Sequence, residues 1–200
     1  MIKKAVPLTW LKPGVFVGSL TPLVVLSWRG LSGTLGANPI STALNQFGLV
    51  ALIFLIASLA CTPVKTWTGW TWPLRLRKML GLYGFFYACL HLLTYVALDQ
   101  VFDLPVIVED VFSRPFIIIG FLAFCMLVPL AVTSTSGWVR RLGKRWQKLH
   151  KLAYVIVILG AVHFFMRMKS DVTQPVVYGS AVAVLLGTRI MVAVRKQKKS

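Results

Sequence analysis

Six long apolar runs, nearly free of charged side chains, constrain this chain more than any other feature of its sequence. They cover residues 13–28, 47–62, 79–98, 115–133, 149–166 and 175–194. A helix needs about 17–25 such residues to cross about 30 Å of hydrocarbon, so the last four runs are long enough by themselves. The first two contain 16 residues each, and flanking residues such as Lys12 and Trp67 could extend them by snorkelling or interfacial anchoring. The sequence therefore predicts an all-α, polytopic membrane protein: one transmembrane domain over residues 1–200, built as a six-transmembrane-helix bundle.

The charged residues are distributed very unevenly between the two ends of these runs. If the N-terminus is cytoplasmic, 18 of the 22 lysines and arginines face the cytoplasm, and the other four lie outside: Arg29, Arg114, Arg167 and Lys169. All five acids also lie on the outer side: Asp99, Asp103, Glu109, Asp110 and Asp171. Because basic residues are retained on the cytoplasmic side of a membrane, we predict that both termini are cytoplasmic. The first run follows a basic start, as a secretory signal does, but Pro13 and Pro22 favour a retained span.

The net charge of +17 is high enough for a nucleic-acid-binding protein. The basic residues form short clusters beside apolar runs, however, and such runs have no place in a nucleic-acid-binding surface. Clusters of this kind are typical of orientation signals and of contacts with anionic membrane lipid. We therefore expect membrane lipid, and no nucleic acid, among the partners. The three cysteines show no CxxC pattern and are expected to be small apolar packing residues.

All three histidines lie in apolar runs, where an ionisable side chain is costly and indicates function. His91 lies 7 residues before the outer end of the third run, and His163 lies 3 residues before that of the fifth. A rise of about 1.5 Å per residue places both in the outer half of the membrane, within about 6 Å of one another in depth. Two histidines at similar depth on different helices can ligate one haem iron from opposite sides. Hydrogen bonding between helices is the structural alternative, and zinc or copper would need more ligands than this depth offers.

His150 lies 13 residues before His163, about 20 Å nearer the cytoplasmic side. A second haem between the same two helices would need a ligand 13 or 14 residues before His91, and those positions hold Lys78 and Arg77. In an uninterrupted helix, His150 would also lie about 140° around the axis from His163. Three roles stay open for His150: ligation of a haem that has a non-histidine second ligand, a place in a quinone or flavin site, or capping of the helix start.

Four segments of the chain resemble a known family. They are RLRKMLGLYGFFYACLHLLTYVALD (75–99), FSRPFIIIG (112–120), AVTSTSGWVRRLGKRWQKLHKLAYV (131–155) and ILGAVHFF (158–165). Their order, together with LGANP at 35–39, is similar to that of the MsrQ family, formerly called YedZ, over about residues 8–170. This family comprises the haem-binding membrane subunits of bacterial periplasmic methionine sulfoxide reductase systems, within the wider ferric-reductase-like transmembrane group.

The resemblance implies a b-type cytochrome of the bacterial inner membrane that passes electrons from the quinone pool through haem b to a periplasmic partner. That partner is a molybdopterin-containing catalytic subunit, which would itself reduce methionine sulfoxide in oxidised periplasmic proteins. Family members are also described as binding FMN. His91 and His163 match the family's haem histidines, and His150 matches its third histidine. Larger relatives carry two histidines on each of two helices, whereas the third run here has only one.

A basic cluster with aromatic side chains is expected near the cytoplasmic ends of the runs, where it includes Arg77, Arg145, Trp146 and His150. It could bind the phosphate of FMN or a quinol, with Trp146 stacked on the ring, or serve only as an orientation signal. On the outer side, Arg114 could pair with a haem propionate or anchor the helix end.

Two other classes of function compete with this prediction. A self-sufficient membrane ferric or quinone reductase is one, but a full ferric reductase needs a nucleotide-binding domain, and no GxGxxG motif occurs before the chain ends at Ser200. A transporter or scaffold that uses its histidines for packing is the other. Transport usually needs a polar path, and no acid lies within any predicted span.

Overall fold

The computed structural model describes residues 8–168 and 171–197. Five basic residues used to predict the orientation lie outside this part of the chain: Lys3, Lys4, Lys169, Lys198 and Lys199. The described residues form nine α-helices and one π-helical turn. Their bounds are α1 (Leu8–Leu31), α2 (Pro39–Thr68), α3 (Trp72–Leu93), the π-helical turn (Thr94–Asp99), α4 (Leu104–Ser113), α5 (Pro115–Val132), α6 (Ser136–Leu142), α7 (Lys144–Leu149), α8 (Leu152–Arg167) and α9 (Thr173–Gln197).

Six helical segments in the described part of the chain are long and apolar enough to cross a membrane, which confirms the predicted all-α bundle. They comprise Trp10–Leu31, Pro39–Thr68, Trp72–Asp99, Pro115–Val132, Lys144–Arg167 and Thr173–Arg195. α1 and α2 contain 24 and 30 residues and exceed the predicted runs. A hydropathy run stops at the first polar residues, whereas a helix continues through them where their side chains reach water. Both helices are therefore long enough to span.

The ends of α2 follow from its local sequence. The Asn38 side chain caps the start, because its Oδ1 accepts a hydrogen bond from the Ser41 N–H at 3.0 Å, and Pro39 occupies the first turn. Gly69 ends the helix with a φ of 72°, and its N–H donates to the carbonyl of Lys65. The short connection that follows turns the chain directly into α3.

Two antiparallel helix pairs form the centre of the bundle, α2 with α3 and α5 with α8. Buried Leu127 and Leu130 of α5 pack with Ile156 of α8, and Leu55 of α2 and Phe85 of α3 cover this cluster. α1 packs outside α3, and α9 packs against α8 and α2. The four central helices are thus held together by side chains from both pairs.

The two ends of the bundle differ in charge, and we name them accordingly. The acidic end, where α3 leads into α4 and α8 leads into α9, carries Asp99, Asp103, Glu109, Asp110 and Asp171. The basic end lies at the start of α3 and around α6 and α7, and it carries Arg75, Arg77, Lys78, Arg140, Arg141, Lys144, Arg145 and Lys148. His91 and His163 lie in the halves of α3 and α8 nearer the acidic end.

The fifth spanning segment is interrupted at His150. α7 ends at Leu149 and α8 begins at Leu152, so the predicted run 149–166 crosses the junction between them. The Lys151 N–H donates to the carbonyl of Lys148, three residues earlier, which tightens the turn relative to an α-helix. The angle of about 140° predicted between His150 and His163 assumed an uninterrupted helix. That assumption does not hold.

Candidate functional site

His91 of α3 and His163 of α8 lie side by side between the two central helix pairs. Their ring centroids are 6.1 Å apart, and the ring planes are inclined at 82°. The two side chains, 72 residues apart in sequence, are thus brought together as predicted from their depth. Two imidazoles on either side of one iron need this spacing, because each Fe–N bond measures about 2 Å and each ring centre lies about 1 Å beyond its nitrogen.

Both rings bind a backbone carbonyl through Nδ1. His91 Nδ1 lies 2.8 Å from the carbonyl oxygen of Leu44 in α2, and His163 Nδ1 lies 2.6 Å from that of Phe116 in α5. A carbonyl oxygen only accepts hydrogen bonds, so Nδ1 carries the proton in each ring, and Nε2 of the neutral ring is left with its lone pair. A hydrogen bond of this kind orients metal-ligating histidines and makes them stronger ligands.

The two histidine environments repeat one another. Each Nδ1 binds a carbonyl 47 residues earlier in the chain, and each ring lies against a glycine 43 residues earlier, Gly48 in α2 or Gly120 in α5. The pair α5–α8 therefore repeats the pair α2–α3 with an offset of 72 residues. The repeat places the two Nε2 lone pairs in equivalent settings, one from each helix pair.

The residues around the pair fit a haem better than a bare metal ion. Within residues 8–168 and 171–197 no group of three or more His, Cys, Asp or Glu side chains could hold a metal ion, whereas a haem iron needs only two protein ligands. Asn45, next to Leu44 in α2, has a buried Oδ1 that finds no partner among the described residues. Arg167 follows His163 by one turn and is half-buried, so it places a cation on the same side of α8.

A second site lies at the basic end, where a cavity of about 610 Å³ opens between α2, α3, α5 and α8. Three of the four residues predicted for a quinone, flavin or second haem site line this cavity: Arg77, Trp146 and His150. Arg145 does not line it and is exposed. Lys78 and Arg140 line it instead, so the cavity remains strongly basic.

His150 is held by Thr133 at the edge of this cavity. The Thr133 hydroxyl donates its single proton to the carbonyl of Pro129 at 2.6 Å, so at 3.1 Å from His150 Nε2 it accepts a hydrogen bond. We therefore assign the Nε2–H tautomer to His150, the opposite of the tautomer of His91 and His163. Trp146 stacks on the His150 ring at 3.9 Å and donates its indole N–H to the carbonyl of Thr133 at 2.9 Å.

Arg114 lies at the acidic end, where its Nε donates to Asp110 Oδ1 at 2.8 Å. The other carboxylate oxygen of Asp110 accepts the hydroxyl of Tyr95 at 2.9 Å, which ties the π-helical turn to α4. Nε is only one of five N–H donors on a guanidinium, so this ion pair leaves others to reach a second anion.

Comparison with known proteins places this arrangement in a family. The family model for the ferric reductase like transmembrane component matches residues 42–161, which run from α2 into α8. A protein of Rhodospirillum rubrum is 49% identical over 185 residues, 92% of this chain and 89% of that protein. One of Deinococcus radiodurans is 51% identical over 176 residues, 88% of this chain and 87% of that protein. Both are named protein-methionine-sulfoxide reductase haem-binding subunit MsrQ.

The chain belongs to the MsrQ family. The predicted family is thereby confirmed, and a further MsrQ relative from Herminiimonas arsenicoxydans is 46% identical over 196 residues, 96% of this chain and 90% of that protein. No solved structure matches the chain. The segment that matches the ferric-reductase-like model contains His91 and His150 and ends two residues before His163.

Several residues of this MsrQ-family site were not predicted from the sequence. Gly48 and Gly120 have no side chain to suggest chemistry, and Thr133 was not predicted as a site residue. The one sequence feature that could have indicated the two glycines is the spacing of 43 residues between each glycine and its histidine. A spacing shared by two pairs is weak evidence in a chain with 15 glycines.

Proposed function

We propose that this member of the MsrQ family binds haem b between His91 and His163 and acts as the electron-transfer subunit of a methionine sulfoxide reductase system. The observation that carries the proposal is the pair of imidazoles 6.1 Å apart, each with Nδ1–H on a carbonyl. The printed names of the relatives, which are haem-binding subunits of protein-methionine-sulfoxide reductases, support it.

Four groups of this chain would hold the haem. His91 and His163 would bind the iron through Nε2, while the carbonyls of Leu44 and Phe116 fix the ring orientations. When bound, the haem would supply reversible one-electron redox chemistry. Arg167 and Arg114 are candidate partners for its propionates, since both are cations near the acidic end.

The cavity at the basic end is the proposed entry site for electrons. Its volume suits a cofactor-sized ring, and Arg77, Lys78 and Arg140 offer donors to the anionic phosphate of FMN or to quinone oxygens. Because His150 Nε2 donates to Thr133, its Nδ1 carries the lone pair and can accept a proton from a quinol hydroxyl. A second haem ligated by His150 would have to use this Nδ1 or break the bond to Thr133.

The orientation belongs to the same proposal. With the basic end in the cytoplasm and the acidic end in the periplasm of the inner membrane, the histidine pair lies nearer the periplasm. A periplasmic molybdopterin-containing subunit that docks at the acidic end could then receive the electrons and reduce methionine sulfoxide. The uneven distribution of the described charges supports this orientation.

The visible spectrum of the detergent-purified protein tests the haem proposal. Oxidised and dithionite-reduced spectra are recorded for the wild type and for His91→Ala, His163→Ala and His150→Ala, all expressed with ample haem. We expect a low-spin b-type spectrum in the wild type, its loss in the first two variants, which each lack one axial ligand, and its retention in His150→Ala.

Three results would count against parts of this proposal. A wild-type protein without haem contradicts it entirely. Equal loss in all three variants would assign His150 to iron ligation. The third result concerns the alternative of a self-sufficient ferric or quinone reductase. The protein is reconstituted in vesicles, and electron transfer from quinol is measured to ferric citrate and to the purified periplasmic reductase. Transfer to ferric citrate alone would favour that alternative.

A further inference from the structure

The edge of each paired histidine ring lies against the backbone of a glycine. A Cβ atom at Gly48 would lie 2.9 Å from His91 Nδ1 and 3.0 Å from its Cε1. A Cβ atom at Gly120 would lie 2.7 Å and 2.8 Å from the same atoms of His163. Ordinary contacts between such atoms measure about 3.5–4 Å, so neither site has room for a methyl group beside the ring in its present position.

Each of these two glycines also leaves exposed the carbonyl that its histidine ring binds. Leu44 precedes Gly48 by four residues, and Phe116 precedes Gly120 by four residues. A side chain on a helix points back over the preceding turn, so a Cβ at either glycine would begin to cover the carbonyl that the Nδ1–H uses. The missing side chain therefore creates a notch, with the glycine Cα as its floor and a carbonyl oxygen at its end.

We infer that Gly48 and Gly120 are positioning residues that hold the two haem-ligating histidines in a fixed orientation. The inference rests on the proposed haem ligation by His91 and His163. Each notch admits the Nδ1–Cε1 edge of the ring, keeps Nδ1–H on the carbonyl, and so presents Nε2 in one direction only. The two notches together set the 82° angle between the ring planes.

The rings have no easy way to avoid an added methyl group. A ring that moved by about 1 Å would lengthen its Nδ1 hydrogen bond or withdraw Nε2 from the iron, and ligand geometry tolerates little displacement. Gly84 offers a matched control on the same α2–α3 interface, because a Cβ there would lie 2.7 Å from Leu55 Cδ2. The next nearest atoms are Leu55 Cγ at 2.8 Å and the Leu55 backbone N at 3.4 Å. The added methyl group is therefore as crowded as at Gly48, but its nearest atoms belong to no histidine.

The test compares the haem-loaded variants Gly48→Ala, Gly120→Ala and Gly84→Ala by visible and ferric EPR spectroscopy. The angle between the imidazole planes sets the anisotropy of a low-spin ferric signal, and near-perpendicular planes give a strongly anisotropic one. We expect Gly48→Ala and Gly120→Ala to lose most of the wild-type low-spin signal, through a high-spin species or loss of haem, and Gly84→Ala to keep it.

Wild-type spectra and g values in both Gly48→Ala and Gly120→Ala would overturn the inference and leave the haem proposal intact. A wild type without haem would contradict the haem proposal itself.

A double-mutant cycle separates an effect on the ring from a general packing effect. Gly48→Ala is combined with His91→Ala, and thermal unfolding is measured for all four proteins. If the methyl group acts through the imidazole, it lowers Tm in the wild-type background and has little effect where the ring is absent. If Gly48→Ala does not fold, His91→Ala should restore folding. Equal losses of Tm in both backgrounds, or a double variant that is not restored, would overturn the inference.

Discussion

At the residue scale, the hydrogen bond that each histidine makes decides what its other nitrogen can do. His91 and His163 donate Nδ1–H to a backbone carbonyl, which leaves the Nε2 lone pair free, whereas His150 donates Nε2–H to the Thr133 hydroxyl. The chain thus holds the same side chain in two tautomers, set by the identity of the acceptor. This difference separates the proposed ligand pair near the acidic end from the proposed proton acceptor at the basic end.

Thr133 is the residue through which the role of His150 can be tested. Thr133→Val keeps the shape of the side chain but removes the hydroxyl that accepts from Nε2. If His150 accepts a proton from quinol, loss of this one orienting bond should slow reduction of the protein by quinol about tenfold, and His150→Ala should slow it about 100-fold. Stopped-flow reduction in vesicles measures both rates.

Thr133→Ser is the control, because it keeps a hydroxyl at this position. Quinol should reduce this variant at nearly the wild-type rate. Wild-type rates in both Thr133→Val and His150→Ala would contradict a place for His150 in a quinone site. That role was one of the three left open by the sequence.

At the element scale, α1 is attached to the bundle mainly through two tyrosines of α3. The fully buried Tyr87 donates its hydroxyl to the carbonyl of Ser19 at 2.7 Å and accepts the N–H of Leu23 at 3.2 Å. Tyr83 makes one such bond, to the carbonyl of Phe16 at 3.0 Å. Pro22 lies beside this contact, where it removes one backbone donor from α1. The tyrosine hydroxyls therefore attach a helix whose other side chains are largely exposed on the outside of the bundle.

Removal of these hydroxyls should destabilise the packing of α1 in proportion to the number of hydrogen bonds lost. Tyr87→Phe loses two hydrogen bonds, one of them buried, and should lower the free energy of unfolding by about 2 kcal/mol, whereas Tyr83→Phe loses one and should lower it by about 1 kcal/mol. Thermal unfolding in detergent compares the stabilities of the two variants with that of the wild type. A Tyr83→Phe variant less stable than Tyr87→Phe would contradict this account of how α1 is attached.

At the scale of the whole molecule, the two ends of the bundle differ in charge, and we propose different roles for them. Four of the five acids lie where α3, α4 and α5 meet, and the fifth, Asp171, lies between α8 and α9 at the same end. The basic cavity opens at the other end. The internal repeat of α2–α3 by α5–α8 places one histidine from each pair between them. A proposed electron entry and a proposed exit therefore lie at opposite faces of one compact four-helix centre.

Thiol labelling of intact spheroplasts checks the orientation. In a background without Cys61, Cys89 and Cys125, an exposed position at each end is changed to cysteine: Glu109→Cys at the acidic end and Gln147→Cys at the basic end. We expect a membrane-impermeant maleimide to label Glu109→Cys directly and Gln147→Cys only after permeabilisation. The reverse pattern would place the basic end in the periplasm and contradict the proposed direction of electron flow.

Local composition was enough to predict the six helices, the uneven charge of their ends and the shared depth of His91 and His163. These properties follow from local composition and from the length of helix that a bilayer requires, so they can be read without knowing any contact. The same reasoning brought Arg77, Trp146 and His150 to one cavity, because all three lie near the same end of their helices.

Features that depend on contacts between distant residues could not be predicted in this way. The carbonyl partners of the histidines, the notches at Gly48 and Gly120, and the Thr133 bond all join different helices. Arg145 is exposed while Arg140 lines the cavity, because α6 and α7 are short helices whose phases local hydropathy does not specify. A glycine or a carbonyl has no chemical signature in the sequence, so its function appears only when a neighbouring helix places a ring against it.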